Sequence, residues 1–98
     1  MSDGDKKDQW EVVFTAKAAK QASKLPAKMQ NLLFLLVSEI EKAGPIRRNW
    51  KNFSSLQKNT YHCHLKKGRP TYVACWYVEK DLVKVEVYYV GTHEKAPY

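Results

Sequence analysis

The sequence predicts an α+β fold in which a helical hairpin packs on one face of an antiparallel sheet, with the element order β-α-α-β-β-β. Two segments of the N-terminal half carry apolar residues at helical spacing, and Leu25-Pro26 separates them. From Tyr61 onward, three runs rich in Val, Tyr, Trp and Cys are separated by Gly68-Arg69-Pro70 and by Lys80-Asp81. A chain with this order of elements can bury its apolar surface by packing the helices on one face of the sheet.

Length and charge limit the class of protein. The 98 residues suffice for one domain with a modest core, and the formal net charge of +7 favours a polyanionic partner, either nucleic acid or an acidic protein. A basic surface without a dedicated ligand is the alternative. No apolar run reaches the ~20 residues of a membrane span, and no secretory segment precedes the domain. We therefore expect a cytoplasmic protein without membrane contact, in which Cys63 and Cys75 are reduced core or sheet residues.

The first elements are a strand and two helices. Residues 10–15 combine a Trp anchor with β-branched residues, which predicts a strand. Thr15 can cap a helix that continues to about Lys24. A second helix is predicted over Ala27–Ala43, where Gly44-Pro45 ends it.

The second helix is apolar over more than one face. Its stripe runs through Met29, Leu32, Leu33, Leu36, Ile40 and Ala43. Phe34, Leu35 and Val37 widen it, and we expect them to lie under the first helix. A patch for a partner is the alternative.

A basic connector follows the second helix. Residues 46–55 are interpreted as a solvated loop held by Trp50 and Phe53. With Arg47 and Arg48, the same stretch could instead form a basic and aromatic edge that contacts RNA.

Strand patterns differ among the last three runs. Residues 71–79 are apolar at both odd and even positions, which predicts a central strand. Residues 82–90 alternate, with Val83, Val85, Val87 and Tyr89 on one face and Lys84, Glu86 and Tyr88 on the other. A three-residue turn at Gly68-Arg69-Pro70 would place Lys67 opposite Thr71, and therefore Cys63 opposite Cys75.

Polar residues that suit phosphate chemistry gather at two places. His62, His64 and Lys66 share one face of a strand, and Lys67 and Arg69 follow at the turn. His93, Lys95 and Tyr98 come after the last strand, and they can reach the same face if this tail folds back.

These side chains could cleave RNA. Attack by a 2′-hydroxyl on the adjacent phosphate needs a base, an acid and cations, and imidazole suits the proton transfers because its usual pKa is about 6.5. Each histidine could instead be an ordinary surface residue. Zinc binding by His62, His64 and His93 is a further alternative, but no pattern of carboxylates beside the histidines supports it.

The order of elements, the Leu25-Pro26 break, a lead-in containing Leu56, and the ending VGTHEKAPY with its His-x(4)-Tyr spacing resemble the RelE/ParE superfamily. Its members are toxins of type II toxin–antitoxin systems. The first residues are polar and charged, which predicts a flexible N-terminus over residues 1–9, and the resemblance implies a single RelE-like toxin domain over residues 10–98.

The mRNA-cleaving branch implies ribosome-dependent endonucleolytic cleavage without metal or cofactor, by a toxin that is monomeric alone and has a cognate antitoxin. His62 and His64 stand where the family has paired lysines, His93 where it has an arginine, and Tyr98 at its catalytic tyrosine. Val73 replaces an arginine that some members carry. The expected catalytic residues are His62, His64, His93 and Tyr98, and the expected RNA and phosphate contacts are Lys66, Lys67, Arg69, Lys95, Arg47 and Arg48. The alternative is a non-catalytic relative, either a ParE-like gyrase inhibitor or a basic RNA-binding module.

Overall fold

The computed structural model describes residues 9–66 and 68–98. A first strand, β1 (Glu11–Phe14), is followed by two helices, α1 (Ala16–Ser23) and α2 (Ala27–Ala43). Four further strands are β2 (Lys51–Gln57), β3 (Thr60–Lys66), β4 (Tyr72–Glu79) and β5 (Lys84–Thr92), and 3₁₀ turns cover Lys80–Leu82 and His93–Lys95. No helix in these two ranges is long and apolar enough to cross a membrane.

The strands form one five-stranded sheet in the order β1-β5-β4-β3-β2. The predicted α+β class and the central position of β4 are confirmed. The prediction of an antiparallel sheet is wrong at one edge, because β1 pairs with β5 in parallel. The chain leaves β1 through the helical hairpin and returns to the far side of the sheet, so the last strand meets β1 running in the same direction.

The connector contains a strand that the sequence interpretation missed. Residues 51–57 pair with β3 as an edge strand, interrupted by register shifts on either side of Ser54-Ser55. Asn52 has a φ of 54°, which places an irregularity inside the strand. Ser, Asn and Lys dominate this run, so neither β propensity nor clear alternation indicates it. The ring of Phe53 stacks on Tyr61 with centroids 5.6 Å apart, which anchors the strand to β3.

The predicted pairing of Cys63 with Cys75 is wrong by one residue. Cys63 lies opposite Ala74 and Cys75 lies opposite His62, because a β-bulge between His64 and Lys66 shifts the register. The two thiols are free and buried on opposite faces of the sheet. The predicted partner of Thr71, Lys67, lies outside the described residues.

A second bulge changes which face the tyrosines of β5 occupy. Cys75 pairs with Tyr89, but Trp76 pairs with Val87, so one extra residue enters β5 at Tyr88. Tyr89 therefore lies with Tyr88 on the face away from the helices, and its predicted place beside Val87 is wrong. Val83 precedes the strand, with a φ of 51° in the left-handed region, and is exposed.

The main core lies between the helices and one face of the sheet. Thr15 caps α1 as predicted, its hydroxyl accepting a hydrogen bond from the Ala18 amide at 3.0 Å. The bounds predicted for α2 are confirmed. Trp76, fully buried, donates from its indole to the Pro45 carbonyl at 3.2 Å. The buried α2 side chains in this core are Met29, Leu33, Leu36 and Ile40, and the half-buried Leu32 and Val37 pack against it.

Part of α2 is not covered by α1. The side chain of Phe34 is 73% exposed and that of Leu35 is 49% exposed, so the expectation that they lie under the first helix is wrong. Successive helical residues are rotated by about 100°, so the two residues after the buried Leu33 turn away from the sheet. An apolar groove of about 360 Å³ lies beside them, with Phe14, Ala22 and the half-buried Val37 among its lining residues.

Candidate active site on the open face of the sheet

The face of the sheet away from the helices carries two histidines of β3. His62 and His64 lie there because Cys63 and Leu65, which alternate with them, pack into the main core. The imidazole centroids of the two histidines are 5.7 Å apart. His62 is only 8% exposed, so its side chain is buried although it lies on this open face.

The C-terminal tail folds back over this face, as the sequence predicted. The amide of His93 donates to the Thr71 carbonyl at 2.8 Å, which ties the start of the tail to the beginning of β4. The His93 ring lies 5.4 Å from that of His64, and the Tyr98 ring lies 4.7 Å from that of His62. His93 and Tyr98 are 5.9 Å apart, measured like the other distances between ring centroids. We call His62, His64, His93 and Tyr98 the histidine–tyrosine cluster.

His62 is poised to be neutral. Burial lowers its pKa, a hydrogen bond with the Ser54 backbone opposes this effect, and charge on the nearby His93 lowers the pKa further. The hydroxyl oxygen of Ser54 lies 3.2 Å from Nδ1 of His62. This contact leaves Nε2 as the ring nitrogen available to a substrate.

Weakly acidic groups lie around the imidazoles. Burial, followed by the nearby Cys75, raises the pKa of the Tyr98 phenol to about 12, although the side chain is half exposed. Burial also raises the pKa of Cys75 to about 12. Tyr88 donates a hydrogen bond to the Cys75 thiol, and its own pKa is likewise raised to about 12, chiefly by burial. These groups keep their protons at neutral pH.

One predicted phosphate contact at the turn, Arg69, lies near the cluster. Arg69 and His93 line one cavity of about 410 Å³, together with Thr71 and Thr92. Lys66 is exposed, but the bulge after His64 places it opposite Tyr72, which packs against the helix-side core, so the expectation that it shares a face with His62 and His64 is wrong. Lys95 is exposed in the 3₁₀ turn that follows β5. Lys67 lies outside the described residues.

The two arginines of the connector lie elsewhere. Arg47 pairs with Glu39 of α2 at 3.3 Å, and Arg48 is exposed. Glu39 also accepts hydrogen bonds from Asn49 and, at 2.8 Å, from the Trp50 indole, and these donors lower the pKa of its carboxyl group. The contacts of Arg47 thus attach the connector to α2, and they do not involve the cluster.

Several residues that sequence interpretation missed adjoin the cluster. Ser54 contacts His62, and Lys51 lies opposite His64 in the register of β2 with β3. Both belong to the strand interpreted as a loop, and only its pairing with β3 reveals them. Tyr88 reaches Cys75 because of the bulge in β5, which the alternation of residues does not show.

The arrangement does not form a metal centre within the described part of the chain. In residues 9–66 and 68–98, no group of three or more His, Cys, Asp or Glu side chains could hold a metal ion. The zinc alternative for His62, His64 and His93 therefore gains no support from the geometry.

Solved toxin structures share this architecture. The isolated RelE toxin of E. coli superposes with a TM-score of 0.67 at 22% identity, covering 90% of this chain and 88% of that one. An archaeal RelE–RelB complex from Pyrococcus horikoshii gives 0.69 at 12% identity over 90% and 99%. The intact E. coli RelBE toxin–antitoxin complex gives 0.65 at 22% identity over 88% and 99%. No sequence-family profile and no curated protein matches the chain. The protein has the RelE-like toxin fold.

Proposed function

We propose that this protein is the toxin of a type II toxin–antitoxin system and inhibits translation by ribosome-dependent endonucleolytic cleavage of mRNA. One observation carries the proposal: three imidazoles and a phenol from separate parts of the chain converge on the open face of a RelE-like fold. A protein that acts only by binding does not need titratable groups at one point. Fold alone would leave the activity open.

His62 is the proposed general base. Its lowered pKa leaves the imidazole unprotonated near neutral pH, and Ser54 holds Nδ1 so that Nε2 can accept the proton of the 2′-hydroxyl. The 2′-oxygen then attacks the phosphorus, forming a 2′,3′-cyclic phosphate. The nucleophile belongs to the substrate, so the reaction needs only proton transfer and charge stabilisation from the protein.

Tyr98 is the proposed general acid. Its phenol remains protonated at neutral pH and lies against His62, so it can donate a proton to the departing 5′-oxygen. His64 and His93, with Arg69 in the adjoining cavity, would stabilise the negative charge that develops on the phosphate.

An antitoxin is the proposed protein partner. Two of the similar structures are complexes of a RelE toxin with RelB. The exposed Phe34 and the apolar groove along α1 and α2 could receive an amphipathic segment. Acidic residues on such a segment would complement the net charge of +7.

Cleavage of ribosome-bound mRNA by the purified protein tests the activity. Primer extension should map new 5′ ends within the codon in the ribosomal A site. His93→Gln should lower the cleavage rate by roughly 10²–10³ through loss of charge stabilisation. Lys28→Gln, an exposed change on α2, is the matched control. Wild-type activity in His93→Gln would remove this residue from the mechanism.

Pulse labelling separates the proposal from a gyrase-inhibiting relative. Induced expression should stop methionine incorporation before thymidine incorporation. Earlier loss of thymidine incorporation would refute translation as the target.

A further inference from the structure

A groove of about 720 Å³ lies at the edge of the sheet where β5 extends beyond β1. The pairing of β1 with β5 ends at Phe14 and Val87, whereas β5 continues to Thr92. Residues 88–92 therefore have no described strand beside them on this side, and α1 and the C-terminal tail form the walls instead. We call this space the edge groove; the residues used below are Lys17 and Gln21 of α1, Lys24 at the C-cap of α1, Tyr72 and Tyr88 of the sheet, and Lys95 of the tail.

The walls of the edge groove combine positive charge with aromatic rings. Lys17 of α1 and Lys24 at its C-cap line one wall and Lys95 of the tail lines another, whereas Glu94 is the one acidic side chain among the described lining residues. Tyr72 and Tyr88 are half-buried and border the same space. Lysines along a channel with aromatic rings inside it are the features that bind the backbone and bases of single-stranded nucleic acid.

The edge groove adjoins the histidine–tyrosine cluster. Tyr88 lines the groove and donates a hydrogen bond to Cys75, which lies opposite His62. Thr92 and Glu94 line both the groove and the cavity that contains Arg69 and His93. A strand of RNA whose phosphate lies at the cluster could thus continue around the end of β5 into the groove.

We propose that the edge groove is a second RNA subsite, which binds nucleotides flanking the bond to be cleaved. The lysines contact their phosphates and Tyr88 stacks on a base. The proposal rests on RNA being the substrate, as in the proposed function, and it adds residues of α1 to the substrate contacts.

The groove suits RNA better than an added peptide strand. A strand joining the free edge of β5 would need the amide of Val90, but the side-chain oxygen of Gln21 already accepts a hydrogen bond from it at 3.1 Å. RNA binding, in contrast, needs no change in the backbone, because Tyr88 and the lysines already line an open basic and aromatic space.

Binding to an uncleavable RNA tests the subsite. The probe is a fluorescently labelled oligouridylate with 2′-O-methyl groups, and its dissociation constant is measured by anisotropy over a series of salt concentrations. When the logarithm of the dissociation constant is plotted against the logarithm of the salt concentration, the slope should be smaller by about 1.4 for Lys17→Ala/Lys24→Ala. Each lost contact with a single-stranded phosphate contributes about 0.7. Lys20→Ala/Lys28→Ala, which removes two exposed helix lysines outside the groove, should leave the slope unchanged.

Tyr88 provides a second measurement. Tyr88→Leu should raise the dissociation constant about 5-fold or more through loss of base stacking, whereas Tyr88→Phe should bind nearly as the wild type does. Thermal unfolding of each variant verifies that the chain remains folded.

The outcomes separate the subsite from the proposed activity. An unchanged salt slope in Lys17→Ala/Lys24→Ala, as expected if the groove receives a peptide, would overturn the subsite even if wild-type protein cleaves mRNA. Failure of the wild type to bind the probe would also overturn it. Loss of slope in this variant, with no cleavage by the wild type, would support the subsite and refute the nuclease.

Discussion

The two faces of the sheet are made by the same strands and differ in almost every physical property. The face under the helices is apolar, with Trp76 and Val85 fully buried in the same core as Ile40 of α2. On the other face, Val73, Cys75 and Tyr89 form a small apolar floor, and imidazoles and phenols lie around it. Alternation along β3 produces the contrast, because His62 and Cys63 are neighbours in sequence but face opposite layers.

The difference shows how a small domain can combine a buried apolar core with a surface that shifts the pKa values of its side chains. Two helices cover one face completely enough to hold the fold, whereas only a short tail covers the other. Partial cover excludes enough water to lower the pKa of His62 and raise that of Tyr98, yet leaves Tyr98 half exposed. Near neutral pH the lowered pKa leaves His62 unprotonated, and the Tyr98 phenol keeps its proton.

The largest expected effect is on cleavage by the open face. His62→Gln should reduce the cleavage rate by roughly 10²–10⁴ through loss of the proposed base. The stability measured by urea unfolding should change much less than the rate, because the main core is untouched. Comparable losses of rate in His62→Gln and in the control Lys28→Gln would show that this face is not the site of reaction.

The helix-covered face should respond in the opposite manner. Trp76→Ala removes the largest fully buried side chain and should lower the free energy of unfolding by about 3–5 kcal/mol. Urea denaturation followed by circular dichroism measures this loss. Cleavage should fall only with the folded fraction, so a folded but inactive Trp76→Ala protein would contradict the separation of the two faces.

Tyr98→Phe tests the open face by removing a single oxygen atom, that of the Tyr98 phenol. The ring contact with His62 can persist, but the phenolic proton is lost, so the cleavage rate should fall by about 10²-fold, the low end for a positioned acid. Tyr77→Phe, which removes a phenol near the C-terminal end of β4, is the matched control and should retain full activity. Single-turnover cleavage at saturating enzyme distinguishes this effect from weaker binding; an unchanged rate would exclude Tyr98 as the acid.

Ser54→Ala should produce the smallest change, measured as the cleavage rate against pH. The proposed base must be unprotonated, so the rate should rise with pH through the pKa of His62, which lies below the usual value of about 6.5. The hydrogen bond that raises this pKa involves the Ser54 backbone, which Ser54→Ala retains, so the acidic limb should keep its position. The variant loses only the hydroxyl contact with Nδ1, and the rate above this limb should fall slightly. A displaced acidic limb would show that the Ser54 hydroxyl, and not its backbone, sets the pKa of His62.

Sequence alone predicted most of the fold because its signals are local. A Thr cap, a Gly-Pro stop and helical spacing identify α1 and α2 without any distant contact. The run from Lys51 to Gln57 has no comparable signal, and only pairing with β3 makes it a strand. For the same reason the parallel alignment of β1 with β5 was not predicted, since it depends on where the hairpin returns the chain.

The histidine–tyrosine cluster shows the same division. The sequence by itself determined that His62 and His64 share a face, because side chains alternate along any strand, and it supplied His93 and Tyr98 on a tail able to reach them. Only the tertiary structure decided the neighbours: two bulges brought Cys75 opposite His62 and turned Tyr89 to the open face beside Tyr88. A bulge inserts one extra residue into one of two paired strands. Because successive side chains point to opposite faces of the sheet, this shift of one residue changes every later contact.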